Sequence, residues 1–245
     1  MSNSADSSCD VLTGLANHFG TDKGSQYFDA HCYTSFYSSL FDRLRHRAFT
    51  FIELGISRGA QDCETAKGRV ITAIPSIEMW LRYFPKATIV GFDLSELAPC
   101  LHTRDRFRFV NGDVGSVVDL AKLKTLPSVR IIIDDASHAS FHQQKAFAHL
   151  FPLLDDGGFY AIEDLHWKPS RYERSLPPCM DTAKLFSGFL STGSLEMLDC
   201  VVANSSSLAT QMGTIYCFPA DRPADSAMLI VIQKRLRALH VTGSE

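Results

Sequence analysis

Five short runs rich in β-branched and aromatic residues alternate with helix-patterned stretches through the first 165 residues: FTFIEL (49–54), TIVGFD (88–93), RFRFVN (106–111), VRIIIDD (129–135) and GFYAIED (158–164). Amphipathic stretches at 76–84, 115–124 and 140–153 lie between them, and a leading helix is expected over 34–47. Parallel neighbours need a helical crossover whereas antiparallel ones need only a turn, so this alternation predicts an α/β fold with a mostly parallel sheet. Ile131-Ile132-Ile133 is apolar without alternation, as expected of a strand covered on both faces. Beyond residue 195 the pattern changes to EMLDCVVA, GTIYCF and AMLIVIQK, with no long helix between the runs. That change predicts an antiparallel strand pair added at the sheet edge.

A chain of 245 residues suits one such domain, expected over 13–240 behind a disordered Ser/Asp-rich tail at 1–12. The net charge of −3 gives no electrostatic footprint for nucleic acid or an anionic membrane. Seven cysteines are scattered without a CxxC pair, which disfavours both a disulfide framework and a zinc site. With neither a basic-apolar leader nor a membrane-length apolar run, the expected location is the cytoplasm.

Ligands of open α/β sheets bind at the carboxyl ends of the strands. The first strand ends in Glu53-Leu-Gly55-Ile-Ser-Arg-Gly59, where glycine lets the backbone approach a ligand. It is not GxGxxG, which lowers the odds of a dinucleotide phosphate site. The second strand ends in Asp93, placed to accept from ribose hydroxyls, and the third in Asn111-Gly112-Asp113, whose polar groups suit an adenine edge. Each acid alone also reads as a turn or helix cap. Together they point to a nucleoside-containing ligand.

The fourth run delivers Asp134-Asp135-Ala-Ser-His138 and the fifth Glu163-Asp164, on strands expected to be neighbours. Converging buried carboxylates repel unless protonated or holding a cation, and a hard divalent ion relieves that repulsion. Asp135, Glu163 and Asp164 are the candidate ligands. An imidazole titrates near neutral pH, so His138 is a candidate general base. The alternative is that Asp134, Asp135 and Ser137 only cap the helix starting near Ser140. Tyr27, Phe28, Tyr33, Phe36 and Tyr37 are expected in the core, His142, His149 and His166 at the surface or internally satisfied, and Arg104, Arg106 and Arg108 on a solvated face.

Phe19-Gly-Thr-Asp-Lys-Gly24, His31-x-Tyr-Thr34, Phe51-Ile-Glu-Leu-Gly55, Ser76-Ile-Glu-Met-Trp80, Phe84-Pro-Lys-Ala87, Ile133-Asp-Asp-x-Ser-His138 and Gly157-Gly-x-Tyr-x-Ile-Glu-Asp164 occur in this order. Over about residues 15–165 the chain thereby resembles the macrolide and tetracenomycin sugar O-methyltransferases. That resemblance implies a Rossmann-like class I methyltransferase fold, whose plan is parallel strands followed by a C-terminal antiparallel pair. It implies S-adenosyl-L-methionine and Mg²⁺ as cofactors. Thr21, Glu53, Gly55, Gly59, Ser76, Asp93, Asn111, Gly112 and Asp135 would contact the former, Asp135, Glu163 and Asp164 would ligate Mg²⁺, and His138 would be the base. S-adenosylmethionine carries no phosphate and needs no P-loop. Relatives are glycine-rich between Gly59 and Ser76, whereas this chain reads AQDCETAKGRVITAIP, which implies an altered lid.

The expected reaction is in-line methyl transfer to a metal-acidified hydroxyl of a sugar-containing small molecule, with no nucleic acid or membrane partner and a homo-oligomer allowed. Acting on a catechol-like diol, or binding the cofactor without turnover, are the alternatives. The missing phosphate-binding glycines leave a nicotinamide oxidoreductase least favoured.

Overall fold

The computed structural model describes residues 10–27, 30–56, 74–97, 104–198, 200–201, 205–219 and 227–236. Residues 1–9 of the tail expected over 1–12, Gly59, Phe28 and most of the unusual 60–75 loop lie outside them. Val11 and Leu12, expected to be disordered with that tail, instead open a helix capped by Asp10. Seven strands form one sheet: β1 (Thr50–Leu54), β2 (Thr88–Asp93), β3 (Phe107–Asn111), β4 (Val129–Asp134), β5 (Leu154–Ile162), β6 (Met212–Pro219) and β7 (Ala227–Lys234). Their order is β3-β2-β1-β4-β5-β7-β6. The first five strands are parallel, and β7 runs antiparallel to both β5 and β6. The parallel sheet with its terminal antiparallel pair is as the sequence predicts. No strand forms within residues 196–198.

Helices α1 (Val11–Phe19), α2 (Tyr33–Phe41) and α3 (Pro75–Tyr83) cover one face, and α4 (Val117–Ala121), α5 (Ser140–Leu150) and α7 (Thr182–Thr192) the other, while α6 (Ser170–Glu173) and α8 (Ser205–Gln211) are short. The helix expected over 34–47 is α2, followed by a 3-10 turn at Asp42–Leu44. Side chains alternate across the sheet. Phe51, Ile131, Ile133 and Phe159 therefore enter the core under α1–α3, while Ile52, Ile132 and Tyr160 enter the opposite core.

Of the three arginines expected on a solvated face, Arg106 and Arg108 are exposed, and Arg104 and Arg106 also make structural contacts. Arg106 donates to the carbonyls of Leu81 in the last turn of α3 and of Phe84 and Ala87 just beyond it, binding the helix end to the start of β3. Arg104 pairs with Glu78.

Candidate active site

The sheet order reverses between β1 and β4, and the strand ends around that switch point open a cavity of about 420 Å³, the size of a small-ligand site. Gly55 makes the closure of β1 against β4 possible. Its φ is +79°, and a Cβ there would lie 2.2 Å from the Asp135 carbonyl oxygen. Thr21, Gly55, Ser76, Asp93 and Gly112 line this cavity together with Asp135, His138 and Asp164. Asp93 accepts from the Ile56 and Ser95 amides at 2.8 Å each, which ties the β1 loop to the end of β2. Asn111 does not line the cavity, because its amide donates to the Asp93 and Leu94 carbonyls.

The acids separate by the parity of their strands. Glu53, Asp135 and Glu163 share the face of Phe51, Ile133 and Phe159. Asp134 points the other way, where the Tyr160 hydroxyl donates to it at 3.4 Å. At the centre of the first group stands Lys23, from the turn between α1 and α2 and only 1% exposed. Its Nζ lies 2.5 Å from Asp135 Oδ2, 2.5 Å from Glu163 Oε2 and 3.6 Å from Glu53 Oε1. The other Glu163 oxygen accepts from the Tyr37 hydroxyl at 2.7 Å. Glu53 lies beneath the cavity, accepting from Ser76 Oγ at 2.9 Å.

One ammonium cannot offset three buried carboxylates. Burial pushes Glu53 up to about 7, against the opposing pull of Lys23. Burial likewise raises Asp135, and raises Glu163 well above the usual carboxylate range, with Lys23 again opposing. Asp134, without a lysine, is raised to about 7 by burial. Burial alone would lower Lys23, but the carboxylates of Asp135, Glu163 and Glu53 more than reverse this and hold it well above an ordinary lysine. Tyr37 is raised by burial and then by Glu163, so its phenol stays a donor.

Asp164 and His138 face each other across the mouth. Both have left-handed backbones, with φ of +53° and +55°, a conformation that costs non-glycine residues energy and clusters at functional sites. His138 Nδ1 stands 4.0 Å from Asp164 Oδ2 and is buried without a hydrogen-bond partner among the described residues. Asp164 Oδ1 accepts from the Tyr33 hydroxyl at 2.6 Å. Donor atoms of Asp135, His138 and Asp164 all lie within 4.8 Å of one another, a set that can hold a metal ion. Glu163, expected beside Asp135 and Asp164 as a ligand, stands outside that set with both oxygens turned to Lys23 and Tyr37. The capping alternative fails for the two acids: α5 has Ala139 at its N-cap with no side-chain cap bond.

Sequence reasoning missed Lys23, Tyr33 and Tyr37. Tyr33 and Tyr37 are core residues as expected, fully buried, but their hydroxyls also hold the site's acids. A signal for Lys23 was present: a lysine within the Phe19-Gly-Thr-Asp-Lys-Gly24 motif, and an acidic cluster in need of a cation.

No protein-family model matches the chain. It is 37% identical over 157 residues to the 8-demethyl-8-alpha-L-rhamnosyl tetracenomycin-C 2'-O-methyltransferase of Streptomyces olivaceus, a match covering 63% of this chain and 37% of that protein. To the mycinamicin VI 2''-O-methyltransferase of Micromonospora griseorubida it is 30% identical over 156 residues, covering 63% of this chain and 36% of that protein. The match thus spans little more than a third of these curated relatives. Among solved structures, the MycE methyltransferase in complex with Mg, SAH and Mycinamycin VI superposes with a TM-score of 0.67 at 21% identity, over 96% of this chain and 57% of that one. The chain therefore has the Rossmann-like class I methyltransferase fold, and its curated relatives are sugar O-methyltransferases of macrolide and tetracenomycin pathways.

Proposed function

We propose that the chain is an S-adenosylmethionine-dependent, Mg²⁺-assisted O-methyltransferase acting on a hydroxyl of a sugar-containing small molecule. One observation carries the reading: a single cavity joins the cofactor-side strand ends, Gly55, Asp93 and Gly112, to Asp135, His138 and Asp164. The donor chemistry fits a hard ion, since the set offers two carboxylates and Mg²⁺ takes oxygen ligands, with water and substrate filling the remaining positions.

When bound, the cofactor supplies an electrophilic methyl group and the metal acidifies and orients the acceptor hydroxyl. The rest falls to the protein. Gly55 keeps the β1 loop close to the cofactor, and Asp93 both braces that loop and offers its remaining lone pairs to the ribose. Asp135 and Asp164 would hold the ion. Lys23 and Tyr37 fix Glu163, Lys23 fixes Asp135, and Tyr33 fixes one oxygen of Asp164 so that the other faces His138. Because Mg²⁺ prefers oxygen to nitrogen, the His138 ring nitrogen is left to take the hydroxyl proton as the bond to carbon forms. Thiols at Cys32 and Cys179 are free, which suits a reducing cytoplasm, and no helix among the described residues is long and apolar enough to cross a membrane.

The test is transfer of labelled methyl from S-adenosylmethionine to rhamnosylated and related acceptors, with and without chelator. Transfer should need Mg²⁺ and return when Mg²⁺ is restored. Full turnover after exhaustive EDTA treatment would remove the metal from the reading. Tight S-adenosylhomocysteine binding without turnover on any sugar would instead favour a cofactor-binding protein.

A further inference from the structure

The far side of Asp164 carries a second constellation that the methyl-transfer reading does not use. His31 Nε2 lies 3.8 Å from Asp164 Oδ1, the oxygen turned away from His138, and the His31 and His166 rings stand 5.9 Å apart, centroid to centroid. One donor atom each from His31, Asp164 and His166 falls within 4.8 Å of the others. The His31 side chain is 12% exposed, and its Nδ1 is buried with no hydrogen-bond partner among the described residues. Its backbone amide donates to the Asp22 carbonyl at 3.0 Å. The fully buried Tyr33 supports both neighbours: its ring stacks on His31 at 5.1 Å and 12°, and its hydroxyl holds Asp164. Such outer contacts orient metal ligands.

We infer that His31, Asp164 and His166 form a second metal site, selective for zinc-type ions over magnesium. Two imidazoles and one carboxylate are the donors of borderline transition metals, whereas Mg²⁺ takes oxygen. Three protein ligands leave a fourth position open. Donors around a tetrahedral zinc ion at about 2.0–2.1 Å stand about 3.4 Å apart, somewhat inside the 3.8 Å between His31 and Asp164 and the 4.8 Å that bounds the set. His166, the third ligand, is exposed and so within reach of an ion from solvent. The site shares Asp164 with the Asp135–His138 set but draws on its opposite oxygen. The inference stands on this geometry, whether or not the methyl-transfer reading holds.

Cobalt(II) serves as a spectroscopic stand-in for zinc. Titration of the full chain in saturating Mg²⁺ should give the strong visible bands of four-coordinate cobalt, displaced by Zn²⁺ at stoichiometric amounts. His31→Ala and His166→Ala should each weaken cobalt binding by at least about tenfold, the lower bound for losing even a supporting contact. His166→Ala changes an exposed residue and leaves the fold intact, so it decides the matter if His31→Ala is unstable. Unchanged cobalt affinity in His166→Ala, absence of the bands in saturating Mg²⁺, or loss of the bands in Cys32→Ser would overturn the assignment.

Discussion

Removing the buried ammonium of Lys23 is the sharpest perturbation the site offers. Lys23→Met keeps the length and apolar stem of the side chain but strands Glu163 and Asp135, each 2.5 Å from Nζ. Breaking a buried ion pair from one side costs about 3–5 kcal/mol. For a chain of this size that corresponds to a fall in Tm of about 6–20 °C. The loss should depend on pH in a defined direction. Asp135 and Glu163 have folded-state pKa values raised above their unfolded ones, so they take up protons in the folded state as pH falls. The penalty of Lys23→Met is therefore greatest near pH 8 and shrinks toward pH 5. A second change separates charge from shape. Glu163→Gln in the Lys23→Met background neutralises the stranded acid while its amide oxygen still accepts from Tyr37, and should recover much of the loss. Urea and thermal unfolding of the four proteins at both pH values complete the cycle. A cost below about 1 kcal/mol at pH 8, the worth of an exposed pair, or strictly additive single effects, would refute the view of Lys23 as the cluster's internal cation.

Asp134 gives a pH dependence of its own. Its folded pKa is about 7 and its unfolded value about 3.9, so between these the folded chain keeps a proton that the unfolded chain has released, and stability falls as pH rises. Asp134→Asn removes that slope and should gain on the wild type by up to about 4 kcal/mol between pH 4 and pH 8; parallel Tm-against-pH curves would exclude the reading. If His138 is the base, His138→Ala should lower kcat by about 10²–10⁴ while S-adenosylhomocysteine affinity, read by calorimetry, stays near wild type. A variant keeping more than about a tenth of wild-type kcat would mean that the metal alone activates the hydroxyl.

The parallel sheet and its terminal pair were legible because both rest on patterning that a chain must obey: strands covered on two faces are apolar throughout, as in Ile131-Ile132-Ile133, and parallel neighbours need helices between them. The placing of Gly55, Asp93, Asp135, His138 and Asp164 at one cavity was legible for the same reason, since strand order and strand ends determine it. Which acid does what was harder to read, because it depends on side chains that arrive from outside the strands. Parity alone separates Asp134 from Asp135 and groups Glu53 with Glu163. Nothing in strand periodicity says that Lys23, from a turn more than a hundred residues earlier than Asp135, will fill the space between them. Three converging acids asked for positive charge, and a divalent ion was the simplest answer from local sequence. The fold supplies part of that charge covalently, through Lys23, and this changes what a metal can do there. An ion beside Asp135 no longer has to neutralise Glu163, and it need satisfy only the two carboxylates at the cavity mouth. A lightly liganded ion keeps more of its positions open for water and acceptor oxygens, which is the condition under which it can orient a hydroxyl for attack.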